Sequence, residues 1–213
     1  MSNDSPKQAS TEEITSGQLE TLDLLVLDCL EGLCAPAYGR LPEAAQLTAR
    51  SSEWYSPAIY VEAARVAMGG GIDFDPCSCP LAQTIVQATD FCGLPDDGLA
   101  RSYWGPRVWM NPPSPPRDWF ADLLRRHRSS STDDCEHAVY MAYSIEQLSQ
   151  LQRFCDLGDY RICVPAKRIR YLSPQSDGSL KPGGSPTHAS ALIGLGFDRV
   201  QWATAFGPLG ACW

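Results

Sequence analysis

The stretch Arg107-Val108-Trp109-Met110-Asn111-Pro112-Pro113-Ser114-Pro115-Pro116 decides how the rest of the chain is organised. The first four residues form a short strand, and the prolines that follow cannot continue it. Two consecutive prolines remove two backbone donors and fix φ, so the loop is stiff and its carbonyls face outward. Upstream, Gly71-Ile72-Asp73-Phe74-Asp75-Pro76 repeats the pattern of a short strand ending at an acid and a turn. Downstream, Trp119 to His127 has helical periodicity, His137 to Ala142 is a strand, and Ser144 to Phe154 is a further helix. Arg161 to Leu172 and Ala189 to Leu195 are later strands, separated by a Gly, Ser and Pro rich turn from Ser173 to Pro186. Alternating strands and helices predict an α/β fold.

Before this region, Ser56-Pro57 predicts a helix start with Ser56 as N-cap and Pro57 in the first helical position. The Gly69-Gly70-Gly71 run should end that helix, and Leu81 to Thr89 should be helical. The chain divides into residues 1–18, polar and expected to be disordered; 19–52, an amphipathic helix and connector; and 53–213, the α/β domain. The helix is carried by Leu22, Leu25, Val26, Cys29, Leu30 and Leu33, spaced three and four apart.

The 213 residues carry 25 acids against 17 Lys and Arg, a formal charge of −8, of which residues 1–50 hold −5. Bulk charge therefore does not draw this protein to nucleic acid; any such affinity rests on a local basic face. No apolar run approaches the ~20 residues of a membrane span, and the N-terminus lacks the basic start of a signal peptide, so a cytoplasmic location with no membrane partner is expected. Nine cysteines without a C-x-x-C pair indicate reduced thiols, neither a disulfide framework nor a zinc ribbon, and no metal site is expected.

A stiff Asn-Pro-Pro loop after a strand suits one chemistry in particular. An amide oxygen and a proline carbonyl can accept both hydrogens of an exocyclic amine, which directs the nitrogen lone pair at an electrophilic methyl group. The alternative is a surface loop of polyproline character. Likewise Asp73 and Asp75 could close a turn, or present a carboxylate where open α/β sheets bind ligands.

With Glu53-Trp54-Tyr55-Ser56-Pro57, Asp75-Pro76-Cys77-Ser78, Asp96-Asp97-Gly98-Leu99 with Trp104, and Asn111-Pro112-Pro113 in register, the chain resembles the phage-type DNA N6-adenine methyltransferases over roughly residues 53–206. Ser144-Ile145-Glu146-Gln147-Leu148, Arg168-Ile169-Arg170-Tyr171-Leu172 and Ser185-Pro186-Thr187-His188 extend the match. The resemblance implies a compact Rossmann-like methyltransferase sheet with S-adenosylmethionine as cofactor and adenine N6 in DNA as acceptor. It assigns Tyr55, Ser56, Asp75, Pro76 and Ser78 to the cofactor, and Asn111, Pro112, Pro113 and Ser114 to catalysis. Lys167, Arg168 and Arg170, beside the Gly and Ser rich turn, are candidates for DNA phosphate contacts. His188 fits a structural or a functional role equally.

Two features depart from the family pattern. Position 114 is Ser where the family carries an aromatic residue that stacks on the flipped base, and Trp119 and Phe120 are the nearest rings that could replace it. Only 36 residues separate Asp75 from Asn111, short for two full βαβ units and hence a sign of a trimmed sheet. Three readings follow: an active adenine methyltransferase, a relative that binds cofactor or DNA without turnover, and an unrelated α/β binding protein.

Overall fold

A computed structural model describes residues 54–113, 116–129, 134–154, 158, 160–184 and 187–213. The helix and connector expected before residue 54, and Ser114 itself, lie outside the described residues. Chain order is α1 (Ala58–Ala67), β1 (Phe74–Asp75), α2 (Gln83–Val86), β2 (Asp90–Phe91), β3 (Arg107–Met110), α3 (Pro116–His127), β4 (His137–Ala142), α4 (Gln147–Leu151), β5 (Arg161–Pro165), β6 (Leu172–Pro174), β7 (Leu180–Pro182), β8 (Ala191–Leu195), α5 (Arg199–Phe206) and β9 (Gly210–Cys212).

Seven strands form one sheet in the order β2-β1-β3-β4-β8-β5-β9, and β6 and β7 make a separate hairpin. The pairs β1·β2, β1·β3 and β3·β4 are parallel, whereas β8 is antiparallel to both β4 and β5, and β9 is antiparallel to β5. Five strands thus run one way, with β8 and β9 reversed. This is the α/β architecture expected from the sequence.

Strand alternation assigns the two faces. Trp109, Val139, Met141 and Leu192 join α1, α2 and α5 in one apolar cluster. Val108, Met110, Ala138, Tyr140 and Ile193 join α3 and α4 in the other. Helices therefore cover both faces, which is why β8 is apolar throughout and β3 and β4 are apolar or aromatic after their first residues, Arg107 and His137. At Gly194 a Cβ would sit 2.5 Å from the Trp202 ring of α5.

Asp73, just before β1, ties that strand to β3. Asp73 accepts from the Arg107 backbone N–H at 3.0 Å, from Nε at 2.8 Å and from Nη2 at 2.7 Å. The guanidinium hydrogen bonds hold the Asp73 carboxyl below its ordinary range. Asp73 is therefore a structural acid, unlike Asp75 two residues on. The Asp96-Asp97-Gly98-Leu99 motif is also scaffold. Asp97 accepts from the Leu99 N–H at 3.0 Å, the Trp104 indole donates to the Gly98 carbonyl at 2.9 Å, and a Cβ on Gly98 would lie 1.9 Å from the Pro76 carbonyl oxygen. Only glycine lets this turn pack beneath the segment after β1.

Several local expectations are corrected. Ser56 does not cap α1; Pro57 occupies that position, and the Ser56 hydroxyl turns inward to Met141 Sδ at 3.7 Å. The helix expected over Leu81 to Thr89 shrinks to α2 because Gln87 adopts a left-handed φ of 47°. The long strand expected from Arg161 to Leu172 ends at Pro165, where its partner β9 ends its ladder at Gly210. The hairpin β6–β7 occupies part of the expected turn.

Candidate active site

The chain leaves β1 toward β2 on one side and later leaves β3 toward β4 on the other, so the strand order reverses between β1 and β3. Open α/β sheets bind ligands outside the carboxyl ends of the strands at such a point. A cavity of about 700 Å³ opens there, within the ~300–1,000 Å³ typical of small-molecule sites. Its wall takes Asp75 to Cys79 after β1, Asn111 to Pro113 after β3, Tyr143 after β4, and Trp54 to Ser56 before α1.

The cofactor residues inferred from sequence, Tyr55, Ser56, Asp75, Pro76 and Ser78, all line this cavity, as do Asn111, Pro112 and Pro113. Tyr55 is held in place by a two-way backbone bridge to Leu172, at 2.9 and 2.8 Å, and its hydroxyl accepts from Cys79 Sγ at 3.6 Å. Lys167, Arg168 and Arg170 do not line it; all three are exposed on the segment between β5 and β6. Arg168 donates to the Thr187 carbonyl at 3.4 Å and Arg170 to the Gly183 carbonyl at 3.1 Å, which ties this segment to the cavity rim at Gly184 and Thr187.

Asp75 is the chemically distinctive group. It is buried, 3% exposed, and burial pushes its pKa up to about 7. Hydrogen bonds from Ser78, the Cys77 N–H and Gln83 partly oppose that rise. Gln83 reaches Asp75 Oδ2 at 3.1 Å and Ser78 Oγ at 2.7 Å through Nε2, while its own Oε1 accepts from the Ala88 N–H at 2.8 Å. Sequence reasoning missed Gln83, since a lone glutamine in an apolar helix carries no signal until its neighbours are known. The Cys77 thiol is pushed well up, first by burial and then by the Asp75 charge, which makes it a poor nucleophile.

Asn111 has a definite orientation. Its Nδ2 donates to the Trp54 carbonyl at 3.1 Å. A carbonyl can only accept, so the amide nitrogen must face Trp54 and Oδ1 is directed elsewhere. Among the described residues Oδ1 has no partner.

Aromatic rings dominate the remaining wall: Trp54, Trp109, Trp119, Tyr143 and Tyr171. Phe120 does not replace the absent aromatic at position 114, because it is fully buried and packs edge-on against Tyr140 at 5.1 Å between ring centres. Trp119 does line the cavity. His188 lines it too, edge-on to Tyr143 at 5.9 Å. Tyr143 is held from behind: Tyr171 donates to Ser190 Oγ at 3.1 Å, and Ser190 donates to the Tyr143 carbonyl at 3.1 Å.

The lining contains two carboxylates, Asp75 and Asp96, and no Lys or Arg. The Trp109 indole N–H, at the cavity floor, is buried and has no partner in the protein. The site therefore suits a ligand with positive or hydroxyl groups toward the acids, a flat apolar body and at least one acceptor. No group of three or more His, Cys, Asp or Glu among the described residues forms a metal-binding cluster, and no described helix is long and apolar enough to cross a membrane. No protein-family model, curated protein or solved structure matches this chain.

Proposed function

We propose that this chain is an S-adenosylmethionine-dependent methyltransferase acting on the N6 amine of adenine in DNA, built on a Rossmann-like sheet. One observation carries the reading. The two motifs that resemble the phage-type family most closely, at Asp75 and at Asn111, are 36 residues apart in sequence yet open into one cavity at the reversal of strand order.

The residues present fit the cofactor. Tyr55, Ser56, Asp75, Pro76 and Ser78 would hold it, with Asp75 and Ser78 offered to its hydroxyl or ammonium groups and the aromatic wall to its flat base. S-adenosylmethionine supplies an electrophilic methyl group on a sulfonium sulfur. The chain's part is positioning: Asn111 Oδ1 and the Pro112 carbonyl accept the two N–H groups of the adenine amine, which fixes the nitrogen and concentrates its lone pair. The tie from Asn111 Nδ2 to Trp54 pre-sets that oxygen before substrate arrives. Trp119 and Tyr143 offer faces to a base extruded from the duplex. Incubation of the purified chain with S-adenosylmethionine and adenine-containing DNA is expected to yield N6-methyladenine in a nucleoside digest by mass spectrometry. No methylation, together with no thermal shift at millimolar S-adenosylhomocysteine, would remove the proposal.

Ser114 favours a second reading. Lack of the family's aromatic at that position weakens base capture by roughly 1–3 kcal/mol, and a relative that binds cofactor without turnover would show the thermal shift and no product.

DNA binding is assigned to Lys167, Arg168 and Arg170, exposed on a segment tied to the cavity rim. Because the chain is acidic overall, binding should be weak and steeply salt-dependent. Each of these phosphate contacts replaced by Ala should flatten the slope of log affinity against log salt by ~0.9 on duplex DNA. An unchanged slope in the triple variant, read by fluorescence anisotropy, would make the segment a solvated surface.

A further inference from the structure

We propose that Cys163 and Cys212 form a reversible cross-strand disulfide that fastens the C-terminal strand to the sheet when the thiol pool is oxidising. The pair stands apart from the candidate active site, and the inference is independent of the function proposed above.

Strand register carries the argument. Cys163 on β5 faces Cys212 on β9 directly in an antiparallel ladder. The neighbouring residues Ile162 and Trp213 exchange both backbone hydrogen bonds, at 3.2 and 3.0 Å. Hydrogen-bonded and non-hydrogen-bonded pairs alternate along such a ladder, so the two cysteines form a non-hydrogen-bonded pair, the type with the closer Cα separation of about 4.5 Å. That lies inside the ~4.4–6.8 Å window for a disulfide, so no strand movement is needed. Both side chains emerge on the face that carries α1 and α5 and pack into the same apolar cluster. Cys163 Sγ donates to the Phe206 carbonyl at 3.7 Å and Cys212 Sγ to the Gly210 carbonyl at 3.8 Å. Among the described cysteines, no other pair faces across a strand ladder.

The two thiols differ in access and in acidity, and this orders the chemistry. Cys163 is fully buried, whereas Cys212 is partly exposed on the edge strand. The neighbouring Cys163 thiol holds the Cys212 thiol below its ordinary value against the opposing effect of burial, and the same interaction, with burial, drives Cys163 up. Cys212 is therefore the thiolate that meets an external oxidant. With oxidised glutathione as oxidant, the Cys212 thiolate attacks one sulfur, the glutathione S–S bond breaks and one glutathione thiolate leaves with the electron pair. Cys163 then attacks the Cys212 sulfur, the mixed disulfide bond breaks, and the second glutathione leaves as a thiolate that takes up the Cys163 proton. Two chain thiols are oxidised and one small disulfide is reduced to two thiols.

The bond would close a ring that contains β6, β7, β8 and the basic segment at Lys167 to Arg170. Closing a loop of this size should raise the melting temperature by roughly 4 to 16 °C. The test is to incubate the full chain with oxidised glutathione, quench with an alkylating agent and map the peptides by mass spectrometry. The expected result is one link, Cys163 to Cys212, with the mass lower by two hydrogens and the melting temperature raised, both reversed by dithiothreitol. Cys163→Ser should stop at a glutathione adduct on Cys212, and Cys212→Ser should give neither adduct nor link at these positions. A stable adduct on Cys212 in the unsubstituted chain, a link between other cysteines instead, or both thiols recovered alkylated would overturn the proposal. Because the peptide map of the unsubstituted chain decides alone, a variant that fails to fold does not rescue it.

Discussion

Asp75→Asn is expected to make the ligand-free protein more stable by about 2 kcal/mol at pH 8 and to remove S-adenosylhomocysteine binding. The buried carboxyl has its pKa raised from 3.8 to about 7, so the folded state prefers the neutral acid. Below pH 3.8 both folded and unfolded chains hold the proton and the group contributes nothing. Between pH 4 and 7 the folded state binds more protons than the unfolded one, so stability falls as pH rises, and above pH 7 the full cost stands. A rise of that size corresponds to about 4 kcal/mol as an upper bound. An amide at this position still accepts from Gln83 but brings a donor without an evident acceptor, costing about 1–3 kcal/mol. Urea denaturation at pH 5 and pH 8 would read the effect: the unsubstituted protein should lose stability across this range, and Asp75→Asn should not. Equal pH dependence in the two proteins would mean that Asp75 is ionised without penalty. Gain of stability with loss of ligand is the signature of a charge kept buried for binding; gain with ligand binding intact would move the cofactor site elsewhere in the cavity.

The contrast between Asp73 and Asp75 illustrates what could be read before the fold was known. Both are acids on one short strand, and spacing alone left each a turn former or a ligand. Their separation rests on Arg107, thirty-four positions away, which takes Asp73 and leaves Asp75 beneath the cavity. Strands β3 and β4 were legible to the residue because both of their faces are covered, so apolar runs mark their ends. Strand β2 was not: two residues long and partly exposed, it carries no pattern to detect. Helix α5 and strand β9 were missed for a related reason, since a helix packed by Trp202, Ala205 and Phe206 within eight residues shows little amphipathic contrast. The segment from Lys167 to Arg170 falls within the strand expected over Arg161 to Leu172. Ile169 is indeed buried, but it sits in an irregular segment that delivers it to the cavity wall. Of the candidate site, Tyr55, Ser56, Asp75, Pro76, Ser78 and Asn111 to Pro113 could be singled out from sequence and line one cavity; Gln83, Tyr143 and Trp54 acquire a role only through distance.

Asn111→Ala should reduce methyl transfer by roughly 100- to 1,000-fold, the range for removing one preorganised polar group from a reacting centre, while leaving S-adenosylhomocysteine affinity nearly unchanged. In the proposed mechanism the amide acts at the acceptor amine, and the residues proposed to hold the cofactor lie on other segments: Tyr55 and Ser56 before α1, and Asp75 to Ser78 after β1. Asn111→Asp separates the two halves of the side chain's work. It keeps an oxygen acceptor for the amine but loses the Nδ2 donor that satisfies the Trp54 carbonyl at 3.1 Å, and sets a carboxylate oxygen against that carbonyl instead. If the oxygen is what matters, Asn111→Asp should retain substantially more activity than Asn111→Ala, with the deficit appearing in kcat because the oxygen is less firmly aimed. If orientation by Trp54 is what matters, the two variants should be equally slow. Equal activity of Asn111→Ala and the unsubstituted protein in single-turnover assays, with bound cofactor verified by calorimetry, would reduce the Asn-Pro-Pro loop to a stiff connector. Ser114→Tyr supplies the complementary result. It should restore a stacking face worth roughly 1–3 kcal/mol, lower the DNA concentration needed for half-maximal rate, and leave the Asn111→Ala defect in place, because base capture and amine polarisation act on separate parts of the same adenine.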